Sequence, residues 1–240
     1  FLDSDDVPRA EALWRLTQAA REKRLDMAKA RFCFLNDETG ELTDGAAICP
    51  TDVLEGGALL AAQCQSGTYE PMVWQCVYRR AFLLENGLRM AEGLLFEDEL
   101  FQAPALIRAK RAAAFDAVIL EYRQRPGSIM ASFAGSAKWC ASYAQVCARL
   151  DALARTLPSG AARAALQRRV GQIALNVGKN IPAYRLPPTV AGEAMAFLKA
   201  HRRELARYAL KSGDAAIAAQ GALLLLSPKL FVGMYRRVMP

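Results

Sequence analysis

Apolar positions follow two different rhythms along the chain. Up to about residue 130, short apolar runs alternate with helical stretches. Pro8 opens a predicted helix to about Lys23, with Leu13, Trp14, Leu16 and Thr17 on its inner face. Residues 31–35 read as a strand and 36–45 as a polar loop or hairpin turn. Residues 46–49 are a short extended piece. Pro50 and Thr51 are predicted to start a helix that carries Val53, Leu54, Leu59 and Leu60 and ends near Gly67. Residues 72–77 are extended or a short helix, and another short helix ends at Asn86-Gly87. Residues 97–110 are predicted helical, with Leu100, Phe101, Leu106 and Ile107 inward. Residues 117–122 form a strand and 125–128 a turn. Beyond that the strand rhythm stops. Trp139, Tyr143, Val146, Leu150 and Leu153 recur at helical spacing, as do Leu166, Val170, Ile173 and Val177, then Met195, Leu198, Leu205 and Tyr208. Four or five helices are expected there, with Pro182, Pro187 and Pro188 separating two of them. No internal repeat is evident.

The composition suits a folded globular chain: 240 residues, 53% apolar and 23% charged. The longest apolar run, 221–226, is far short of the roughly 20 residues that span a bilayer, so no transmembrane helix is expected. Phe1 leads straight into acidic residues, which does not read as a signal peptide, and a fragment of a longer protein is expected. The six cysteines form no C-x-x-C pair and have no histidine nearby. Reduced thiols in a cytoplasmic protein are expected, not a zinc site or a disulfide framework. His201 is the single histidine, so a histidine-dependent triad would have to use that ring; acid–base chemistry falls to carboxylates.

Charge divides the chain where the rhythm changes. Residues 1–130 hold 15 lysines and arginines against 20 acids, a net of −5; residues 131–240 hold 16 against 4, a net of +12. The expected domains are 1–130 and a basic helical extension over 131–240, with the boundary near 128–132. The acidic half suits a cation or a hydroxyl-activating site. The basic half suits an anionic surface.

Three segments carry chemistry. In Phe1-Leu-Asp-Ser-Asp-Asp6, a strand end delivers carboxylates, and strand alternation puts Asp3 and Asp5 on one side, where hard oxygens suit Mg²⁺ or Mn²⁺. An acidic turn explains the same residues without a metal. In Glu92-Gly-Leu-Leu-Phe-Glu-Asp-Glu-Leu-Phe101, Glu97, Asp98 and Glu99 open a helix. The helix dipole favours acids there, and should keep a carboxylate base ionised beside an acceptor hydroxyl. In Tyr122-Arg-Gln-Arg-Pro-Gly-Ser-Ile129, Arg123 and Arg125 share a strand face and a turn brings up Ser128, a pattern suited to phosphate oxygens. Trp74 with Tyr78, Arg79 and Arg80 adds an aromatic wall and two cations, although a core tryptophan accounts for Trp74 equally.

Taken in order, residues 1–6, 73–88, 92–101 and 122–129 resemble family 2 glycosyltransferases of the bacterial surface-polysaccharide type. The resemblance covers about 1–130. It implies an α/β fold: a partial GT-A (Rossmann-like) mixed sheet with flanking helices, followed by a C-terminal helical region, cut off at the D-x-D strand so that the sheet is incomplete. It implies that Asp3 and Asp5 bind Mg or Mn and the donor diphosphate, and that Asp98, with Glu97 beside it, is the base. Trp74, Arg80, Arg123, Arg125 and Ser128 would line the substrate side. The implied partners are a nucleotide-sugar donor and a saccharide or lipid-linked acceptor, and the implied reaction inverts the anomeric centre. A fragment of this kind is not expected to be active alone.

Two other readings compete. Asp3-Ser-Asp5-Asp-Val7 also fits the D-x-D-x-V of haloacid-dehalogenase-like phosphatases, but the lysine that family needs before its acidic pair has no candidate between Lys29 and Lys110. The other is a non-catalytic binding module. No aromatic-interleaved basic motif points to nucleic acid. The apolar-then-basic tail 223–237 points to an anionic membrane surface, which would place the protein at the inner face of the membrane.

Overall fold

A computed structural model describes residues 1–125, 136–211 and 213–238. The chain is α/β and divides into two compact units. The expected boundary near 128–132 lies outside the described residues.

The first unit is built on a mixed five-stranded sheet. Its elements are β1 (Val7–Pro8), α1 (Ala10–Glu22), β2 (Met27–Asn36), β3 (Leu42–Asp44), α2 (Gly56–Ser66), β4 (Cys76–Tyr78), α3 (Arg80–Glu85), α4 (Glu97–Arg108) and β5 (Ala112–Gln124). β2 and β5 are the long central pair and run parallel, with Met27 opposite Ala112 and Asn36 opposite Gln124. Their alignment needs a crossover, and the chain between them supplies α2, α3 and α4. β1 pairs antiparallel with β5, and β3 and β4 pair antiparallel with β2. Met27, Ala28, Ala30 and Phe32 on β2 and Ala112, Ala113 and Ala114 on β5 are buried, the near-continuous apolar run of strands covered on both faces.

One buried carboxylate ties the starts of these strands. Asp26 Oδ1 accepts from Arg79 Nη2 at 2.9 Å, after β4. Its Oδ2 accepts from the backbone amides of Lys110 at 2.8 Å and Arg111 at 3.2 Å, ahead of β5. Hydrogen bonds to a charged acceptor are the stronger kind, about 1.5–3 kcal/mol each.

The structure corrects three expectations here. Phe1 and Leu2 are exposed and in no strand, and the acids after them form a turn closed by the Asp6 amide donating to the Asp3 carbonyl at 3.3 Å. Strand alternation therefore does not set the directions of Asp3 and Asp5. Trp14 is 62% exposed, because Leu16 carries the buried face of α1. The helix expected from Pro50 begins at Gly56, because the preceding backbone is already committed to β5. The Thr51 amide donates to the Ala114 carbonyl, and Leu54 and Ala112 exchange both of their backbone bonds. Gly67, left-handed at φ 73°, ends α2 where a glycine stop was expected.

Among the described residues of the second unit the strand rhythm is absent, as the spacing predicts. Its helices are α5 (Ala137–Thr156), α6 (Ala161–Ala183), α7 (Pro188–Leu210), α8 (Ala215–Leu226) and α9 (Pro228–Val238). Trp139, Val146, Leu150, Leu166, Val170, Ile173, Val177, Leu198, Leu205 and Tyr208 are buried, so the helical periodicity marks the core. Pro182 lies inside α6 and Pro188 at the first turn of α7, its favoured place. His201 is an exposed residue of α7.

Gly56 sets how closely α2 approaches α4. A Cβ there would stand 2.0 Å from the Leu106 carbonyl oxygen and 2.9 Å from the Ala109 Cβ. Gly56→Ala should therefore lower stability by about 1–3 kcal/mol through overpacking. Gly192→Ala, at a helical position with nothing within 4 Å, should not. Urea unfolding of the two variants measures the difference.

Candidate functional site

The end of β5 and the turn at residues 3–6 are stitched together by charge. The Arg123 amide donates to Asp6 Oδ1 at 3.0 Å, and Arg123 Nε donates to the Asp5 carbonyl at 2.7 Å. Arg125 Nη2 reaches Asp5 Oδ2 at 2.7 Å. Arg123 also pairs with Asp37 in the β2–β3 turn. Placement of both arginines on one strand face thus serves Asp5. Asp6, which the sequence reading did not single out, is the buried member of the acidic turn. Its second carboxylate oxygen, Oδ2, is buried with no hydrogen-bond partner among the described residues. Burial pushes the Asp6 carboxyl up, the Arg123 amide pulls it down, and the charges of Asp3 and Asp5 push it up again.

Asp98 reaches the same neighbourhood from α4. Phe1, two residues before Asp3, packs edge-on against Phe101 at 5.1 Å and against Tyr78 at 5.9 Å. Phe101 stands one turn beyond Asp98 on the same helix. Burial raises the Asp98 carboxyl to about 7; Glu97 adds to the rise, the Val73 amide opposes it through a hydrogen bond, and Asp3 and Glu99 raise it further. Asp3 and Asp98 therefore feel each other's charge. Ionisation by helix-start amides, the sequence expectation, does not prevail: desolvation and neighbouring acids outweigh it.

An aromatic wall stands behind the acids. Trp74 is buried and stacks on Tyr122, centroids 5.3 Å apart and planes 13° apart, with Phe32 edge-on to Trp74 at 5.0 Å. The Tyr122 hydroxyl is pushed up by burial and then by Asp6, Asp3 and Asp5, so its ring stands beside the acidic turn. Tyr122 was not among the expected site residues. Its signal in the sequence is its place two residues after Leu120, on the strand that ends at the two arginines. Below Asp98, Gln102 ties α4 to β4: its Nε2 donates to Cys76 Sγ at 3.1 Å, and its Oε1 accepts from the Tyr78 hydroxyl at 2.5 Å.

Two expected residues do not join this group. Arg80 opens α3 and is exposed, and among the described residues no contact links it to the acids; its neighbour Arg79 is held by Asp26. Ser128 lies outside the described residues.

A hard divalent cation is one group that these acids could hold. Three carboxylates crowd one turn, and one of their oxygens is buried without a partner. No group of three or more His, Cys, Asp or Glu side chains among the described residues could hold a metal by itself. Mg²⁺ commonly takes one or two carboxylates and completes its shell with substrate phosphates and water, so a two-aspartate site fits that donor set.

No protein-family model matches the chain. It is 30% identical over 130 residues to the Escherichia coli protein described as uncharacterized glycosyltransferase YibD, an alignment covering 51% of this chain and 36% of that protein. The structure of S. aureus TarS 1-349 in complex with UDP-GlcNAc superposes on 99% of this chain and 65% of that one, with a TM-score of 0.66 and 17% identity. A second structure of S. aureus TarS 1-349 gives 0.62 at 15% identity, covering 99% and 64%. The fold is shared with TarS. The chain spans about a third of the length of the curated relative and under two thirds of the TarS chains.

The raised Asp98 carboxyl makes stability depend on pH. An unfolded aspartate releases its proton near 3.8, whereas folded Asp98 keeps it to about 7. Its stabilising contribution is complete below the lower value and is lost as pH rises through the upper one. Urea titrations without divalent metal should show a decline over that window. Asp98→Asn should flatten most of it, leaving the smaller slope due to Asp6, and should be more stable than the parent chain at about pH 8.

Proposed function

We propose that this chain forms the metal and acceptor side of an inverting glycosyltransferase of family 2 type, which moves a sugar from a nucleotide-sugar donor to a hydroxyl of a saccharide or lipid-linked acceptor in cell-surface polysaccharide synthesis. The observation that carries the proposal is the Asp98 carboxyl, titrating near neutrality within electrostatic reach of Asp3. The likeness to YibD over 130 residues and the fold shared with TarS, a protein seen with UDP-GlcNAc, support it.

Asp98 is the base. The acceptor hydroxyl oxygen attacks the anomeric carbon, its proton passes to Asp98, and the bond from that carbon to the diphosphate oxygen breaks from the opposite side. A carboxyl titrating near the working pH is both deprotonated often enough to accept the proton and basic enough to attract it. Glu97 keeps the Asp98 proton affinity high by like charge. Asp3 and Asp5 would hold Mg or Mn, which when bound supplies positive charge against the leaving nucleoside diphosphate. Asp6 acts one step back: by holding the Arg123 amide it fixes the acidic turn to β5. Arg125 and Arg123 keep Asp5 in place and stand ready for diphosphate oxygens. The Trp74–Tyr122 stack closes the floor of the site.

The chain covers part of its relatives' length, so the test belongs in the full-length protein. Asp98→Asn should keep donor affinity and lose transfer by about 10²-fold or more; unchanged turnover would reject Asp98 as the base. Chelation of divalent cations should abolish transfer and added Mn²⁺ should restore it, with Asp3→Asn needing more metal for half-maximal rate. Full activity in chelator overturns the metal role.

A further inference from the structure

In the second unit, α8 is apolar on its outer side as well as its inner one. Its sequence, Ala-Ala-Ile-Ala-Ala-Gln-Gly-Ala-Leu-Leu-Leu-Leu, has no charge and one polar side chain, Gln220. The inner side is accounted for. Leu224 is fully buried, and Gly221 lets α8 close on α7, where a Cβ would stand 2.5 Å from the Ala209 Cβ. The outer side shows Ala215, Ala219, Ala222, Leu225 and Leu226 to solvent. A soluble helix normally places charges there.

The exposure peaks at the corner between α8 and α9. Leu225 is 40% exposed, Leu226 71% and Leu230 56%. Lys229 is exposed among them, and Arg236 is exposed two turns further along α9. The corner is built, not frayed. Asp214 caps the start of α8 by accepting from the Ala216 and Ile217 amides at 2.8 and 3.0 Å. The Ser227 carbonyl accepts from the Phe231 amide at 3.0 Å, and Phe231, fully buried, anchors α9 from below. The three leucines are thus held outward at no further ordering cost when something covers them.

The charge around the corner identifies what covers it. From Ala215 to Pro240 the sequence has no acidic residue and three basic ones, and residues 131–240 carry a net +12. A second copy would bring the same positive charge to the same place. An anionic lipid leaflet brings the opposite charge and an apolar layer beneath it, which suits leucines ringed by lysine and arginine.

We infer that the α8–α9 corner is a membrane-docking wedge, in which Leu225, Leu226 and Leu230 enter the acyl boundary of an anionic leaflet while Lys229 and Arg236 meet its phosphates. The inference does not depend on the transferase reading, and neither stands or falls with the other.

Vesicle co-sedimentation of the full chain tests it, comparing phosphatidylcholine alone with a phosphatidylcholine–phosphatidylglycerol mixture. The chain should pellet with the mixture, weakly or not at all with phosphatidylcholine, and less as salt is raised. Leu226→Ser/Leu230→Ser should reduce binding by about tenfold or more, and Lys229→Glu should weaken it without touching an apolar group. All three side chains are exposed, so thermal unfolding should match the parent. Equal pelleting of the double variant, or equal binding to both vesicle types, overturns the inference. So does a lipid-free dimer that the double variant converts to monomer, which would assign the leucines to self-association.

Discussion

Two buried carboxylates close the two ends of the parallel β2–β5 pair, and the chemistry of the first unit depends on both. Asp26 gathers the chain before β5 and the arginine after β4 onto the start of β2. Asp6 holds the far end of β5 through the Arg123 amide and so fixes where Asp3 and Asp5 stand. A parallel pair has no hairpin to hold its register, so its ends must be tied by other means. Both ties use an aspartate to satisfy backbone donors where the ladder stops.

The acidic site is a product of the same constraint. Asp3, Asp5 and Asp6 follow one another in sequence, but Asp98 arrives from a helix far along the chain, brought in by the packing of Phe1 on Phe101. Burial of Asp98, with the like charge of Glu97, Asp3 and Glu99 around it, sets its titration near neutrality. The helix dipole works the other way and is outweighed, since it contributes about 0.3–1 kcal/mol whereas each unit of pKa shift corresponds to about 1.4 kcal/mol.

Much of the fold was legible. The strands through Phe32 and Ile119, the glycine stop at Gly67 and the helical core positions such as Leu150 and Val170 all follow from local periodicity. What local periodicity could not supply was competition. Thr51 and Leu54 look like a helix start, yet their backbone groups are taken by β5, some sixty residues downstream. Trp14 looks like a core residue because tryptophan usually buries, but one step from Leu13 around a helix turns it outward. In the site, the acids and arginines were legible as types. The hidden parts were pairings: that Arg125 serves Asp5, that Asp6 is the buried acid, and that Tyr122 stacks on Trp74. Each depends on a partner more than forty residues away, which spacing alone does not reveal.

The order of synthesis gives the Asp26 tie a further meaning. Its amide partners Lys110 and Arg111 lie 84 and 85 residues after it. While the ribosome makes the chain, β2 emerges long before β5, an apolar strand with its parallel partner still unwritten. Long-range parallel pairing is slow to form and leaves strand edges open meanwhile. The nascent chain must therefore pass through an interval in which β2 can pair with β3 and β4 but not yet with β5, and cellular holding factors would have their most natural grip on it then.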